Sequence, residues 1–271
     1  MPRKKRELQK LPTYQKRTDA RIFILAYKPV PYKLPSNPLY NIIHVGAELH
    51  DYYFGTPDNL GEPNISKYNK VYCETTGTYW INNHHPENLK WIGQCQYSKL
   101  IRFHYNTDFE TIFQDHDAIA VPLMSTIHGN PATVFDQFCV WHPREIIEMA
   151  EDIIKEKFPE YSEAWDKHVR HGYVIYYSGG YILRTEDYHE WCRFFFGVCD
   201  EIIKRYGATK DTILDVFDAK FKSGKWVNHF IGRTDGYEKL LFGFLAERLF
   251  TAFVRNLGNI MDIEYDFKAH V

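Results

Sequence analysis

The chain has 271 residues, 44% of them apolar and 17% aromatic, and its 33 Lys and Arg against 35 Asp and Glu leave a net charge of −2. That length suits one large domain with a sizeable core, and the near-neutral balance excludes a surface that binds polyanions over its whole extent. No run approaches membrane-spanning length, no signal-peptide stretch is visible, and five cysteines without a C-x-x-C pair point to a reduced, cytoplasmic setting.

Residues 1–20 read as a basic, solvated arm. Arg3, Lys4, Lys5, Arg6, Lys10, Lys16 and Arg17 stand there against Glu7 and Asp19, a composition able to attract anionic headgroups or nucleic acid. A domain over 21–271 follows. Apolar runs predict strands over 21–27 and 41–46. Pro57, Asn59, Gly61 and Pro63 then supply turn chemistry. A helix over 66–82 comes next, with Asn64 or Ser66 as its cap and Tyr68, Tyr72, Thr75 and Tyr79 at helical spacing. Further strands fall at 90–96 and 117–123. The helix over 143–157 starts at Pro143 and turns Ile146, Met149, Ile153 and Ile154 inward. A strand over 173–183 contains the pair Gly179–Gly180, which marks a bulge, a hairpin or a ligand lying close to the backbone. Helices over 186–205, capped by Thr185 or Asp187, and over 236–256, capped by Thr234 or Asp235, complete the pattern.

Strands alternating with helices imply a single Rossmann-like α/β domain, its central sheet mostly parallel and covered by helices on both faces. Ligands in such sheets bind beyond the carboxyl ends of the strands. That rule selects Ala26, Tyr27 and Lys28, then Gly46 and Ala47, then Gln96 and Tyr97. The loop with Asn59 and Asn64, running into a helix start at Ser66, adds backbone N–H groups that suit a phosphate. His84–His85, His168 and His171 lack the further ligands of a zinc site and read as surface histidines.

Several blocks in this order resemble a family of bacterial capsular and exopolysaccharide-biosynthesis glycosyltransferases, long catalogued as a domain of unknown function (DUF4422). The run from Asp58 to Trp80 is similar to the family's central signature. Ile22–Lys28, His44–Ala47, Trp91–Lys99, Asp117–Pro122 and Gly243–Leu249 are similar to its flanking blocks. Gln96 and Ser98–Lys99 depart from the pattern, standing where the family favours histidine and two arginines.

The resemblance implies an A-type glycosyltransferase-like fold and a nucleotide-diphosphate sugar as donor. Lys28, Lys99 and Arg102 would counter the diphosphate, Tyr27 would stack on the base, and Ser178, Gly179 and Gly180 would lie along the sugar or acceptor. Candidate catalytic carboxylates are Asp235, Glu247 and Glu74; Glu247 also reads as an ion-pair partner of Arg248, and Asp235 as a cap. Many such enzymes hold Mn²⁺ or Mg²⁺ through Asp-x-Asp, but Asp115-His116-Asp117 precedes its strand, so no metal ligand is assigned and metal dependence stays open. The implied acceptor is a saccharide precursor, lipid-linked at the cytoplasmic membrane surface, where the basic arm would dock. Two alternatives stand beside it: a phage-type transferase acting on hydroxymethylated DNA bases in the host cytoplasm, and a carbohydrate-binding protein without activity.

Overall fold

The computed structural model describes residues 19–30, 37–221 and 241–265. Short apolar runs bounded by turns form the strands: β1 Ala20–Ala26, β2 Tyr40–His44, β3 Thr56–Pro57, β4 Trp91–Gln96, β5 Ala118–Met124, β6 Thr126–Ile127, β7 Asn130–Pro131, β8 Val174–Arg184 and β9 Ile260–Asp262. The helices are α1 Asn69–Tyr72, α2 Thr75–His84, α3 Phe109–Asp115, α4 Val134–Trp141, α5 Arg144–Lys157, α6 Ser162–Trp165, α7 Thr185–Arg205, α8 Ile213–Phe221 and α9 Leu241–Leu257.

Seven strands make one sheet in the order β3-β2-β1-β4-β8-β5-β9, while β6 and β7 pair separately as a hairpin. Only β8 runs against its neighbours; the other pairings in the sheet are parallel. After β1 the chain adds β2 and β3 on one side and then returns to add β4 on the other, so the strand order reverses between β1 and β4. Side chains alternate across this sheet. Phe23 and Leu25 pack with Ile92, Tyr181 and the inward faces of α2, α5, α7 and α9. Ile22 and Ile24 face the other way, with Leu100, Ile101, Phe109 and Phe113. Helices therefore cover both faces, as the alternation predicts, but one layer is far thicker. Among the described residues no helix is long and apolar enough to cross a membrane.

The expected strands and the helices α5 and α7 form within a residue or two of their predicted limits. Ile146, Ile153 and Ile154 are buried, as are Trp191, Phe194 and Phe195. The start expected for the last helix lies outside the described residues, as does nearly all of the basic arm.

Two expectations fail on local geometry. The helix over 66–82 is not continuous: a 3₁₀ turn at Ser66–Tyr68 leads into α1, which stops at Cys73 before α2 begins. Cys73 has φ 52° and ψ −137°, incompatible with a helix. Its carbonyl accepts from Asn69 Nδ2 at 2.5 Å and from the Thr76 hydroxyl at 3.2 Å, which fixes the break. The assigned caps also fail. Asn64 closes its own turn, accepting from the Ser66 N–H at 3.3 Å and donating to the Gly61 carbonyl at 3.0 Å. The Ser66 hydroxyl donates to Asp58. At the start of α7, the Thr185 hydroxyl donates to the Leu89 carbonyl at 2.6 Å and Asp187 lies 3.6 Å from Arg184, so neither caps.

Asp58, fully buried, is the organiser of this edge. Its carboxylate accepts from the Gly46 N–H at 2.9 Å and the Ala47 N–H at 3.0 Å as well as from Ser66. Gly46 has φ 65°, and a Cβ there would lie 2.7 Å from Asn69 Cγ, so glycine is required on two counts. Replacing Asp58 by alanine strands two amides and a hydroxyl in a buried site. Asp58→Ala should lose on the order of 3 kcal/mol in urea-induced unfolding; a loss below about 0.5 kcal/mol would show that water replaces the carboxylate without cost.

Candidate active site

The reversal of strand order between β1 and β4 places the carboxyl ends of those strands at the position where such sheets bind ligands. Tyr27 follows β1 and Tyr97 follows β4. Their rings meet edge to face at 5.3 Å, and Tyr97 donates its hydroxyl to that of Tyr27 at 3.1 Å. Tyr27 is 50% exposed. Lys28 Nζ lies 5.5 Å from both ring centroids, so one cation is held over an open aromatic ledge. Ala26, by contrast, is buried and its carbonyl is bonded to the Val45 N–H at 3.0 Å, which leaves only backbone at that point.

Beside this ledge the fold gathers residues that are distant in the chain. The break at Cys73 turns Glu74 towards the end of β4, where Gln96 Nε2 donates to Glu74 Oε1 at 2.5 Å. Gln96 Oε1 accepts from the Tyr177 hydroxyl at 2.6 Å. A tight turn, closed by the Lys99 N–H on the Gln96 carbonyl at 3.0 Å, returns Lys99 to the same place. Its Nζ sits 3.8 Å from the Tyr177 ring centroid and 5.9 Å from that of Tyr265. Glu247 enters from α9, whose first turn packs so tightly on the break that a Cβ on Gly243 would be 2.4 Å from Cys73 Sγ. Glu247 Oε2 accepts from Arg248 Nη1 at 2.6 Å, and the buried guanidinium also donates to the Phe244 carbonyl at 3.0 Å and to Gln137. The ion pair expected as one reading of Glu247 is thus present.

The two carboxyls sit in different surroundings. Burial pushes Glu74 above the ordinary carboxylate range; its own amide and the Gln96 N–H oppose the rise, the charge on Glu247 adds to it, and Lys99 opposes it. Burial also raises Glu247, against the pull of Arg248 and then Lys99. Lys99 is itself lowered by burial, which both carboxylates counter. Glu247 has a dedicated guanidinium partner. Glu74 has a neutral amide, and its charge is the less compensated of the two.

The glycine pair expected to mark a bulge or a ligand contact sits on a bulge. From Ala120 to Pro122 on β5, the partners on β8 run from Tyr181 to Tyr176, so the four residues Tyr177–Gly180 stand opposite Val121 alone. A Cβ on Gly179 would lie 2.8 Å from Gln96 Cγ, and one on Gly180 2.5 Å from the Tyr265 hydroxyl. The glycines make room for those two side chains. Ser178 Oγ is buried and has no hydrogen-bond partner within the described residues.

Of the residues selected from sequence, Glu74, Glu247, Gln96, Lys99, Gly179 and Gly180 come together, with Tyr27, Lys28 and Tyr97 alongside. Arg102 is exposed on the segment after β4. Asn59, Asn64 and Ser66 do not form an open anion seat. Asn59 donates to Glu48 Oε2 at 2.8 Å, Ser66 serves Asp58 and the Glu48 N–H, and the Gly46 amide already holds the Asp58 carboxylate. Asp235 lies outside the described residues. Tyr177 and Tyr265 are not among the residues selected from sequence; the position of Tyr177 two residues before the glycine pair was the available signal for the first, and nothing local marks the second.

Among the described residues the fit to a divalent cation is poor. Asp117, at the amino end of β5, accepts from the Asn259 N–H at 2.9 Å and lies 3.6 Å from Arg184. Among the described residues no group of three or more His, Cys, Asp or Glu side chains could hold a metal ion, and the charge of Lys99 already acts on both Glu74 and Glu247.

Residues 21–215 match the family described as "Domain of unknown function (DUF4422)", and the chain belongs to that family. No curated protein matches it. Among solved structures, the apo form of WbbM, a bifunctional glycosyltransferase, aligns over 92% of this chain with a TM-score of 0.68 and 19% identity. At that identity the likeness shows the fold alone, a mixed α/β architecture. The chain spans 45% of the WbbM chain.

The raised Glu74 carboxyl makes a signed prediction. Its folded-state value lies above the unfolded one, so the stability linked to it is present below the unfolded value and lost as pH rises through the folded one. Glu74→Gln keeps an acceptor for Gln96 and removes that loss. The melting temperature of the variant, relative to the unsubstituted protein, should rise as pH is taken from the ordinary carboxylate range towards neutrality. Parallel curves would show that Glu74 titrates as an ordinary solvated carboxylate.

Proposed function

We propose that this member of the family is a glycosyltransferase that moves a sugar from a nucleotide-diphosphate donor to a hydroxyl of a surface-polysaccharide precursor. The observation that carries the reading is the pair Glu74–Glu247 around Lys99, set beside the aromatic ledge at the reversal point of the sheet. The fold shared with a bifunctional glycosyltransferase supports it.

In this reading the base of the donor stacks on Tyr27 or Tyr97 and the diphosphate lies towards Lys28, Lys99 and Arg102. The acceptor oxygen bonds to the anomeric carbon, its proton passes to Glu74, and the carbon–oxygen bond to the diphosphate breaks with its electron pair leaving on phosphate. Glu74 suits the base role because its charge is weakly compensated and its proton affinity is raised by burial. Glu247 holds Lys99 and Arg248 in place. Ser178 lies on the sugar side, where its buried hydroxyl offers a hydrogen bond, while Gly179 and Gly180 act by admitting the Gln96 and Tyr265 side chains. The negative charge of the departing diphosphate is met by side-chain cations without a divalent metal. The basic arm draws the enzyme to the anionic membrane surface on which a lipid-linked acceptor resides.

A thermal-shift series with nucleoside diphosphates and their sugars, run in EDTA, tests the donor class. One nucleotide sugar should raise the melting temperature by several degrees; no response to any would overturn the reading. With that donor, Glu74→Gln should retain the shift while kcat falls by roughly 100-fold or more. Turnover abolished by EDTA and restored by Mn²⁺ would overturn the metal-free step. Steeply salt-dependent transfer to hydroxymethylated duplex DNA would replace the saccharide acceptor by a nucleic acid.

A further inference from the structure

The hydrogen bond from Gln96 to Glu74 has a direction, and the direction is set elsewhere. A glutamine amide can face a neighbour with either its oxygen or its nitrogen. Here the Tyr177 hydroxyl meets Gln96 Oε1 at 2.6 Å, which leaves Nε2 to face Glu74 Oε1 at 2.5 Å. A hydroxyl that donates to the oxygen selects this orientation. The reverse orientation would present a carbonyl oxygen to Glu74 and would be stable only against a protonated carboxyl.

We propose that Tyr177 is a positioning residue for Glu74, acting through Gln96: its hydroxyl locks the amide with N–H towards the carboxylate and so keeps Glu74 in its proton-accepting form. This rests on the glycosyltransferase reading for its consequence, but not for its geometry. The surroundings agree with the arrangement. Burial pushes the Tyr177 phenol well up, so it remains a donor throughout the working pH range. Lys99 packs on the face of the ring at 3.8 Å, which fixes the ring. Gly179 lacks the Cβ that would come within 2.8 Å of Gln96 Cγ. The titratable groups facing Glu74 are Glu247 from α9, Lys99 after β4, Cys73 before α2, Tyr177 from β8, and Tyr265.

Tyr177→Phe keeps the ring under Lys99 and deletes only the hydroxyl. The acid limb of the pH–kcat profile should move up by about one unit, the scale of a lost hydrogen bond to a charged carboxylate. Activity on the acid side of that limb would then fall about tenfold, with full recovery on its alkaline side. Gly179→Ala, whose Cβ would lie 2.8 Å from both Gln96 Cγ and the Tyr177 ring, crowds the same lock and should move the limb in the same direction. A uniform loss across all pH values, or an unmoved limb in both variants, would overturn the proposal. The carboxyl ¹³C titration of Glu74 gives the same answer without turnover. An upward move in Tyr177→Phe supports the lock, and an unchanged titration refutes it, even where no nucleotide sugar is a substrate and the glycosyltransferase reading has failed.

Discussion

A carboxylate withdrawn from water must be given donors or it takes up a proton, and Glu74 is supplied by its own backbone N–H and, from the end of β4, by the Gln96 amide. Every structural peculiarity around the site serves that contact. Cys73 leaves the helical region so that Glu74 can turn inward, although a non-glycine residue at φ 52° carries strain of the order of 1–3 kcal/mol. Asn69 and Thr76 hold the break open by capturing the Cys73 carbonyl. The close approach of α9, permitted by Gly243, then brings the second carboxylate and its guanidinium partner to the same point. Strain, charge and tight packing coincide at the reversal point of the sheet, and that coincidence separates this place from the other edges of the domain.

Charge at the site is nearly closed within itself. Lys99 and Arg248 face Glu74 and Glu247, so the charges balance in number, yet burial remains the largest influence on each of the four groups. The closure is uneven, because Arg248 is committed to Glu247, Phe244 and Gln137 while Lys99 serves two carboxylates from a turn. A negatively charged ligand arriving at Lys99 would draw that ammonium partly away from Glu74 and raise the basicity of the carboxylate further.

Much of the sheet was legible from sequence because buried parallel strands are short apolar runs with turns at each end, and β1, β2, β4 and β5 all have that form. Long amphipathic helices were legible for the same reason: α5 and α7 keep their inward stripes over several turns. What failed was decided by contacts outside the local window. The aromatic spacing from Tyr68 to Tyr79 spans a break that only Asn69, Thr76 and α9 impose, and no glycine or proline announces it. Ser66 carries the right chemistry for a cap, yet Asp58 competes for its hydroxyl and wins through burial. The hairpin β6–β7 and the short helices α3, α4, α6 and α8 lack enough turns for a periodic signal. At the site, Glu74, Glu247 and Lys99 were each visible as single candidates, but their meeting is a property of topology.

The ring of bonds around Asp58 has an evolutionary reading. Gly46, Ala47, Glu48, Asn59 and Ser66 are tied to one another at the base of the 47–57 segment, whose outer residues include the exposed Leu49 and Tyr52. A segment pinned at its root can exchange exposed residues such as Leu49 at its crest, while Tyr52 and Phe54 stay stacked on His44 of β2. Related chains can therefore diversify this crest independently of the chemistry a few strands away, in the way an interchangeable tip is fitted to a fixed handle.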